Sequence, residues 1–118
     1  MGDSNMVRPT GTIGETKLKI LAIVCFNESR GTNTYGYNIW RVLKEGFHTY
    51  FDEGNLRNVY RHLKDLEKAG LISRGPQQTI KGVPRRQPYS LTQKGREMEQ
   101  KFAKYVDLLS SKAKIVQG

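Results

Sequence analysis

Arg57, Asn58 and Arg61 stand within five successive positions, and each carries a planar group that makes paired, parallel hydrogen bonds. A guanidinium grips the O6 and N7 of a guanine in that way, and a carboxamide the N6 and N7 of an adenine. Asn55, just upstream, either caps a helix or reaches a base edge itself. Tyr60 and Lys64 on the same stretch, and Lys81, Arg85 and Arg86 further along, carry hydroxyl and cationic donors that suit a phosphate backbone. For Tyr60, packing and phosphate contact are both open. The plainer reading of these charges is a solvated helix face and a hairpin kept soluble.

Bond-making chemistry has no comparable constellation. There is no glycine-rich phosphate loop, the single cysteine Cys25 lies in an apolar run, and His48 and His62 lack metal-ligand spacing with it. No enzyme, metal or cofactor is expected. His62 reads as a surface residue bordering the proposed contact face.

The candidate readers need a rigid element, and the residues between them supply one. Leu56, Val59, Leu63 and Leu66 recur at three- and four-residue spacing, which predicts a helix over Glu53–Gly70 with Arg57, Asn58, Arg61 and Asp65 on the opposite face. Gly70 is placed to end it, and Leu71-Ile72 begins a strand. Upstream, Met1 to about Gly14 reads as a flexible arm in which Arg8 is the one candidate for phosphate. A helix over Thr16–Glu28 has apolar residues on every side and should form the heart of the core. Thr34 is a candidate N-cap for a second helix over Tyr35–Gly46, which carries Trp40 as a core anchor or a ligand-facing aromatic.

After the third helix, Leu71–Gly75 and Arg86–Leu91 should pair as strands around a long basic tip broken by Pro76, Gly82 and Pro84. Thr92 should cap a last helix to about Lys112, with Met98, Phe102, Tyr105, Val106 and Leu109 along one side. That ridge exceeds what a small core can cover, so its distal half is expected to pair with a second subunit. The fold expected is mainly α with a small β-hairpin, a winged helix-turn-helix: an arm over 1–14, a DNA-binding unit over 15–91, and a C-terminal dimerisation helix and tail over 92–118.

Charge agrees with this assignment. In 118 residues, 20 Lys and Arg against 11 Asp and Glu give a net charge of +9, which favours a polyanionic partner. From Lys68 to Arg96 seven cations occur with no acid among them. The apolar run Ile20–Phe26 is too short to span a bilayer, no signal peptide opens the chain, and a lone cysteine cannot form an internal disulfide, so a cytoplasmic protein is expected.

Three segments resemble the PadR-like transcriptional regulators: Tyr35-Gly36-Tyr37-Asn38-Ile39, the stretch Val59-Tyr60-Arg61-His62-Leu63 through Gly70-Leu71-Ile72, and Tyr89-Ser90-Leu91-Thr92-Gln93-Lys94-Gly95-Arg96. The resemblance runs over roughly Lys17 to Phe102. Where such proteins often carry small residues before the tyrosine, this chain has Arg57 and Asn58, a more charged recognition face. The resemblance implies a homodimer that binds palindromic double-stranded DNA and acts as a transcriptional repressor. It also leaves a second role open, a centromere-binding adaptor of an archaeal plasmid partition system, on repeated sites with a partition ATPase or adaptor as partner. Either would place the protein on the nucleoid or a plasmid. The architecture further implies a ligand pocket between Trp40 and the last helix, near Phe102 or Tyr105 across a dimer.

Overall fold

The computed structural model describes residues 14–47 and 56–117, with the side chains of 78–80, 83–85 and 113–117 left aside. The N-terminal arm, His48 and Asn55 therefore lie outside the described residues, as does the side chain of Arg85. Helix α1 (Glu15–Ser29) is the hub. Ile20, Leu21, Ala22, Ile23 and Val24 are buried in succession, none more than 1% exposed. A helix buried on every side needs cover from several directions. It obtains that cover from α2, β4 and the C-terminal helix.

Helix α2 (Gly36–Gly46) buries Ile39, Trp40 and Leu43, and α3 (Leu56–Lys68) buries Val59, Leu63 and Leu66. The apolar spacing read from the sequence accounts for both faces. Thr34 does not cap α2. Tyr35 holds the cap position, with no side-chain cap bond. Thr34 is buried, so its hydroxyl needs a partner and accepts from Asn27 Nδ2 at 3.0 Å. Its carbonyl accepts the Tyr89 N–H at 2.8 Å, making it a one-residue third strand at the wing base.

Gly70 ends α3 at φ +79°. The Gly70 and Leu71 N–H groups return to the carbonyls of Glu67 and Leu66, both at 3.0 Å, which satisfies the last turn. Strands β1 (Ile72–Arg74) and β4 (Tyr89–Leu91) then pair antiparallel, Ile72 opposite Leu91. The segment expected to be a basic loop is a second hairpin, β2 (Gln78–Ile80) with β3 (Val83–Arg86). Gly82, at φ +81°, makes its turn. Pro76 and Pro88 flank the break between the two ladders, where ring nitrogens cannot donate. The Gly75 N–H to Pro88 carbonyl bond, 2.8 Å, bridges it.

The last helix is divided. Thr92 caps a single turn, α4 (Gln93–Arg96), by accepting the Gly95 N–H at 3.1 Å, and α5 (Glu99–Gln117) starts afresh. Gly95 is buried so tightly that any Cβ there would overlap the Leu71 carbonyl oxygen.

The ridge on α5 also departs from expectation. Phe102, Tyr105 and Leu109 are 0%, 8% and 7% exposed within one chain, because the all-round apolar surface of α1 lies against them. They are core residues of the single chain. Met98 and Val106 are half-buried, and among the described side chains of α5 the exposed large apolar one is Leu108. Two polar contacts clamp α5: the Tyr105 hydroxyl donates to Glu15 Oε1 at 2.5 Å, and Lys112 Nζ donates to the Gly46 carbonyl at the end of α2.

Gly95→Ala should cost at least about 1–3 kcal/mol in urea unfolding, the usual penalty of overpacking. Gly82→Ala, with open space around its added methyl, should cost only the left-handed backbone penalty of about 1–2 kcal/mol. A loss below about 1 kcal/mol for Gly95→Ala would contradict the close approach at Leu71. Burial and the bond to Glu15 push the Tyr105 hydroxyl from 10.0 up to about 12. A group whose folded value is raised stabilises the fold fully below its unfolded value and loses that contribution as pH rises through 10 toward 12. Alkaline unfolding of Tyr105→Phe should therefore lack that part of the pH dependence.

Candidate nucleic-acid interface

With Val59, Leu63 and Leu66 holding α3 against the core, its outward face carries exposed Arg57, Tyr60, Arg61, Lys64 and Lys68. Asn58 is half-buried on the flank it shares with His62 and Asp65, the side facing α1, where Lys17 Nζ lies 3.5 Å from Asp65. Arg57 and Arg61 thus stand clear for contact, and Asn58 is recessed beside them. His62 is not the open surface residue that the sequence suggested. Its Nδ1 is buried without a hydrogen-bond partner, and desolvation, reinforced by Lys17, pushes its pKa below the ordinary 6.5. That environment favours the neutral ring over the charged one.

Of the two roles considered for Tyr60, packing is the one visible in the fold. Its ring lies across the start of α2, where a Cβ on Gly36 would come within 2.6 Å of the ring's Cζ, yet the residue is 46% exposed. Tyr60, Tyr35, Tyr37 and Tyr89 with Arg86 line a cleft of about 230 Å³ between the start of α2, α3 and the wing. Tyr35, Tyr37 and Tyr89 were not among the contact residues expected from sequence. Their signal was the Tyr-Gly-Tyr spacing, with the glycine admitting a ring from another helix.

Of the seven cations from Lys68 to Arg96, the six with described side chains divide into two groups. Arg74 Nε is 2.9 Å from Glu67 Oε2, and Arg96 is 3.1 Å from Glu28 Oε1. Lys94 Nζ donates at 3.0 Å to the Ala69 carbonyl at the end of α3, where a cation also suits the helix dipole. These three hold the wing, α3 and α1 together. Lys68, Lys81 and Arg86 are exposed. The Arg86 guanidinium lies over the Tyr35 ring at 5.1 Å from its centroid.

Trp40 is a core anchor, 6% exposed, with the Tyr37 ring at 5.4 Å and Lys44 Nζ at 5.1 Å from the ring centroid. Phe102 and Tyr105 are also buried within this chain, and the pocket expected beside Trp40 would form only across a dimer. Among the described residues no group of three or more His, Cys, Asp or Glu side chains could hold a metal, and no helix is long and apolar enough to cross a membrane.

Among solved structures, Bacillus subtilis PadR in complex with operator DNA matches at TM-score 0.58 and 21% identity, over 80% of this chain and 48% of that one. This chain therefore spans about half the length of that protein. A PadR family transcription regulator from Clostridium difficile matches at TM-score 0.58 and 21% identity, over 89% of this chain and 100% of the other. A PadR-like transcriptional regulator from Bacillus cereus matches at TM-score 0.55 and 25% identity, over 86% and 91%. No curated protein matches the chain in sequence. The model of the transcriptional regulator PadR-like family matches residues 23–101, a span that holds α2, α3, the whole wing and the start of α5. The winged-helix chain described here belongs to the PadR-like family of transcriptional regulators.

Proposed function

We propose that this protein binds double-stranded DNA as a homodimer, with α3 in the major groove and the β2–β3 hairpin against the adjacent backbone or minor groove, and represses transcription by occupying a promoter. The observation that carries this reading is the outward face of α3, where Arg57, Arg61 and Lys64 are exposed on a helix whose opposite side is locked in the core. Arg57 and Arg61 read guanines, and Asn58, at the recessed edge, reads at the margin of the site. Lys64, Lys81, Arg86 and the Tyr60 hydroxyl hold phosphates. The α2 N-terminus adds backbone N–H groups that no side chain caps. Family membership supports the reading, and so does the operator complex of the Bacillus subtilis protein.

Dimerisation belongs to the part of α5 that α1 leaves uncovered. Leu108 is 42% exposed there, and Val106 half-buried. Two copies of α3 related by a two-fold axis read two half-sites, so the operator should be an imperfect palindrome. Leu108→Glu should shift the protein toward monomer in sedimentation while leaving its melting temperature within a few degrees. A variant that stays fully dimeric would place the interface elsewhere.

The test of function is retention of sheared genomic DNA by the purified protein at moderate salt, followed by footprinting. One or a few palindromic sites overlapping promoters are expected, and retention with no sequence enrichment would defeat the reading. On the recovered site, Arg57→Ala and Arg61→Ala should each lose about 1–3 kcal/mol of discrimination against a substituted base pair. Arg86→Ala should flatten the slope of log affinity against log salt by about 0.9 for each phosphate that the guanidinium no longer neutralises. Lys94→Ala and Arg96→Ala should leave that slope unchanged and lower thermal stability instead. A flattened slope for the latter pair would contradict the division between cations that brace the fold and cations that face DNA.

A further inference from the structure

A cleft of about 690 Å³ lies outside the proposed base-reading face. It runs along the flank of α2 between the α1–α2 turn and the wing. Arg41, Asn33, Asn38 and Val42 line it with Tyr35 and Arg86, and the last two also wall the tyrosine cleft facing the proposed DNA. The Arg86–Tyr35 stack is therefore a partition between two clefts. Whatever displaces it on one side removes a cation from the other.

The lining specifies a chemistry. Two guanidiniums suit a dianionic phosphate, which accepts from planar forks. Among the described residues Arg41 pairs with Glu45, which also lines the cleft, at 3.8 Å with both side chains more than half exposed, a pairing worth little and easily exchanged. The Asn38 carboxamide offers donors and an acceptor, and Asn33, whose Nδ2 donates to the Tyr35 hydroxyl at 3.4 Å, offers its carboxamide oxygen and second N–H, a pattern that can pair with a heterocycle edge or sugar hydroxyls. The Tyr35 ring offers a stacking face, already used by the flat Arg86 guanidinium. The volume falls in the usual range of small-molecule sites, about 300–1,000 Å³.

We infer that this cleft is an effector site for a free mononucleotide, whose phosphate engages Arg41 and Arg86 and whose base takes the place of Arg86 on Tyr35, so that the nucleotide and duplex DNA compete for Arg86. The link to DNA rests on the proposed function, whereas the cleft itself does not. Because the two ligands draw on one side chain, each weakens the other by the same factor.

The test begins without DNA. Isothermal titration of the wild-type protein with each of the four 5′-mononucleotides, with inorganic phosphate and adenosine as partial ligands, reads the cleft directly. At least one mononucleotide should bind one per chain, more tightly than either partial ligand. At saturation it should raise the apparent Kd for the duplex recovered from genomic DNA by about 5-fold or more. Arg41→Gln, an exposed change remote from α3, should abolish nucleotide binding while leaving duplex affinity and its salt slope unchanged. Absence of binding by all four nucleotides would overturn the inference, as would phosphate alone binding equally well. Undiminished binding to Arg41→Gln would also overturn it, by placing the nucleotide on the DNA face. Binding without any change in duplex Kd would overturn the competition for Arg86. Failure of the protein to bind duplex in the absence of nucleotide would count against the DNA reading alone.

Discussion

The seam where α3 ends, the wing begins and α4 turns back is the constraint on which the rest of the structure depends. The Thr92 N–H bonds to the Leu71 carbonyl at 3.1 Å, its hydroxyl reaches the Gly70 carbonyl at 2.5 Å, and Lys94 closes on the Ala69 carbonyl. Gly95 fills the remaining space against Leu71, where no larger residue fits. Carbonyls left open at the end of a helix must find donors, and here one short segment supplies them. The same bonds fix the angle between α3 and the wing. A protein that reads a groove with one element and grips the backbone with the other needs that angle set before it meets DNA, since ordering it on binding would cost affinity.

Most of the fold was legible because apolar spacing carries it. The continuous apolar run of α1, the stripe of α3 and the Gly70 stop all survive in the structure, since each follows from backbone geometry and local burial. Tertiary demand overrode local signals elsewhere. Thr34 has the chemistry of a cap, but it is buried between α1 and β4 and serves as a bridge. The ridge of Phe102, Tyr105 and Leu109 looks too long for a small core until the need of α1 for cover on all sides is counted. The Gly95 approach to Leu71 links residues 24 positions apart in sequence, and no periodicity shows it.

The candidate site was legible in type more than in detail. Exposed Arg57, Arg61 and Lys64 follow from the position of the leucine stripe on the same helix. The recession of Asn58 does not, because it depends on where the start of α1 lies beside Lys17 and Asp65. Charge runs were the least reliable guide. Arg74, Arg96 and Lys94 look the same in sequence as Lys81 and Arg86, and what separates them is Glu67, Glu28 and the Ala69 carbonyl brought in from other elements. Burial likewise made Trp40 a core anchor and left His62 half-buried rather than open at the surface. On the proposed reading, the cations paired within the fold brace the wing against α3, and Lys81 and Arg86 are left to face phosphate.

The central claim is that Arg57 and Arg61 carry α3 into the major groove. Methylation interference tests it most directly, because a methyl group on guanine N7 blocks the acceptor that a guanidinium needs and leaves the phosphates untouched. With the protein's own recovered site, the account predicts that N7 methylation at one or two guanines per half-site abolishes binding, and that the same modification no longer matters in Arg57→Ala or Arg61→Ala. Binding indifferent to N7 methylation throughout the site would contradict it.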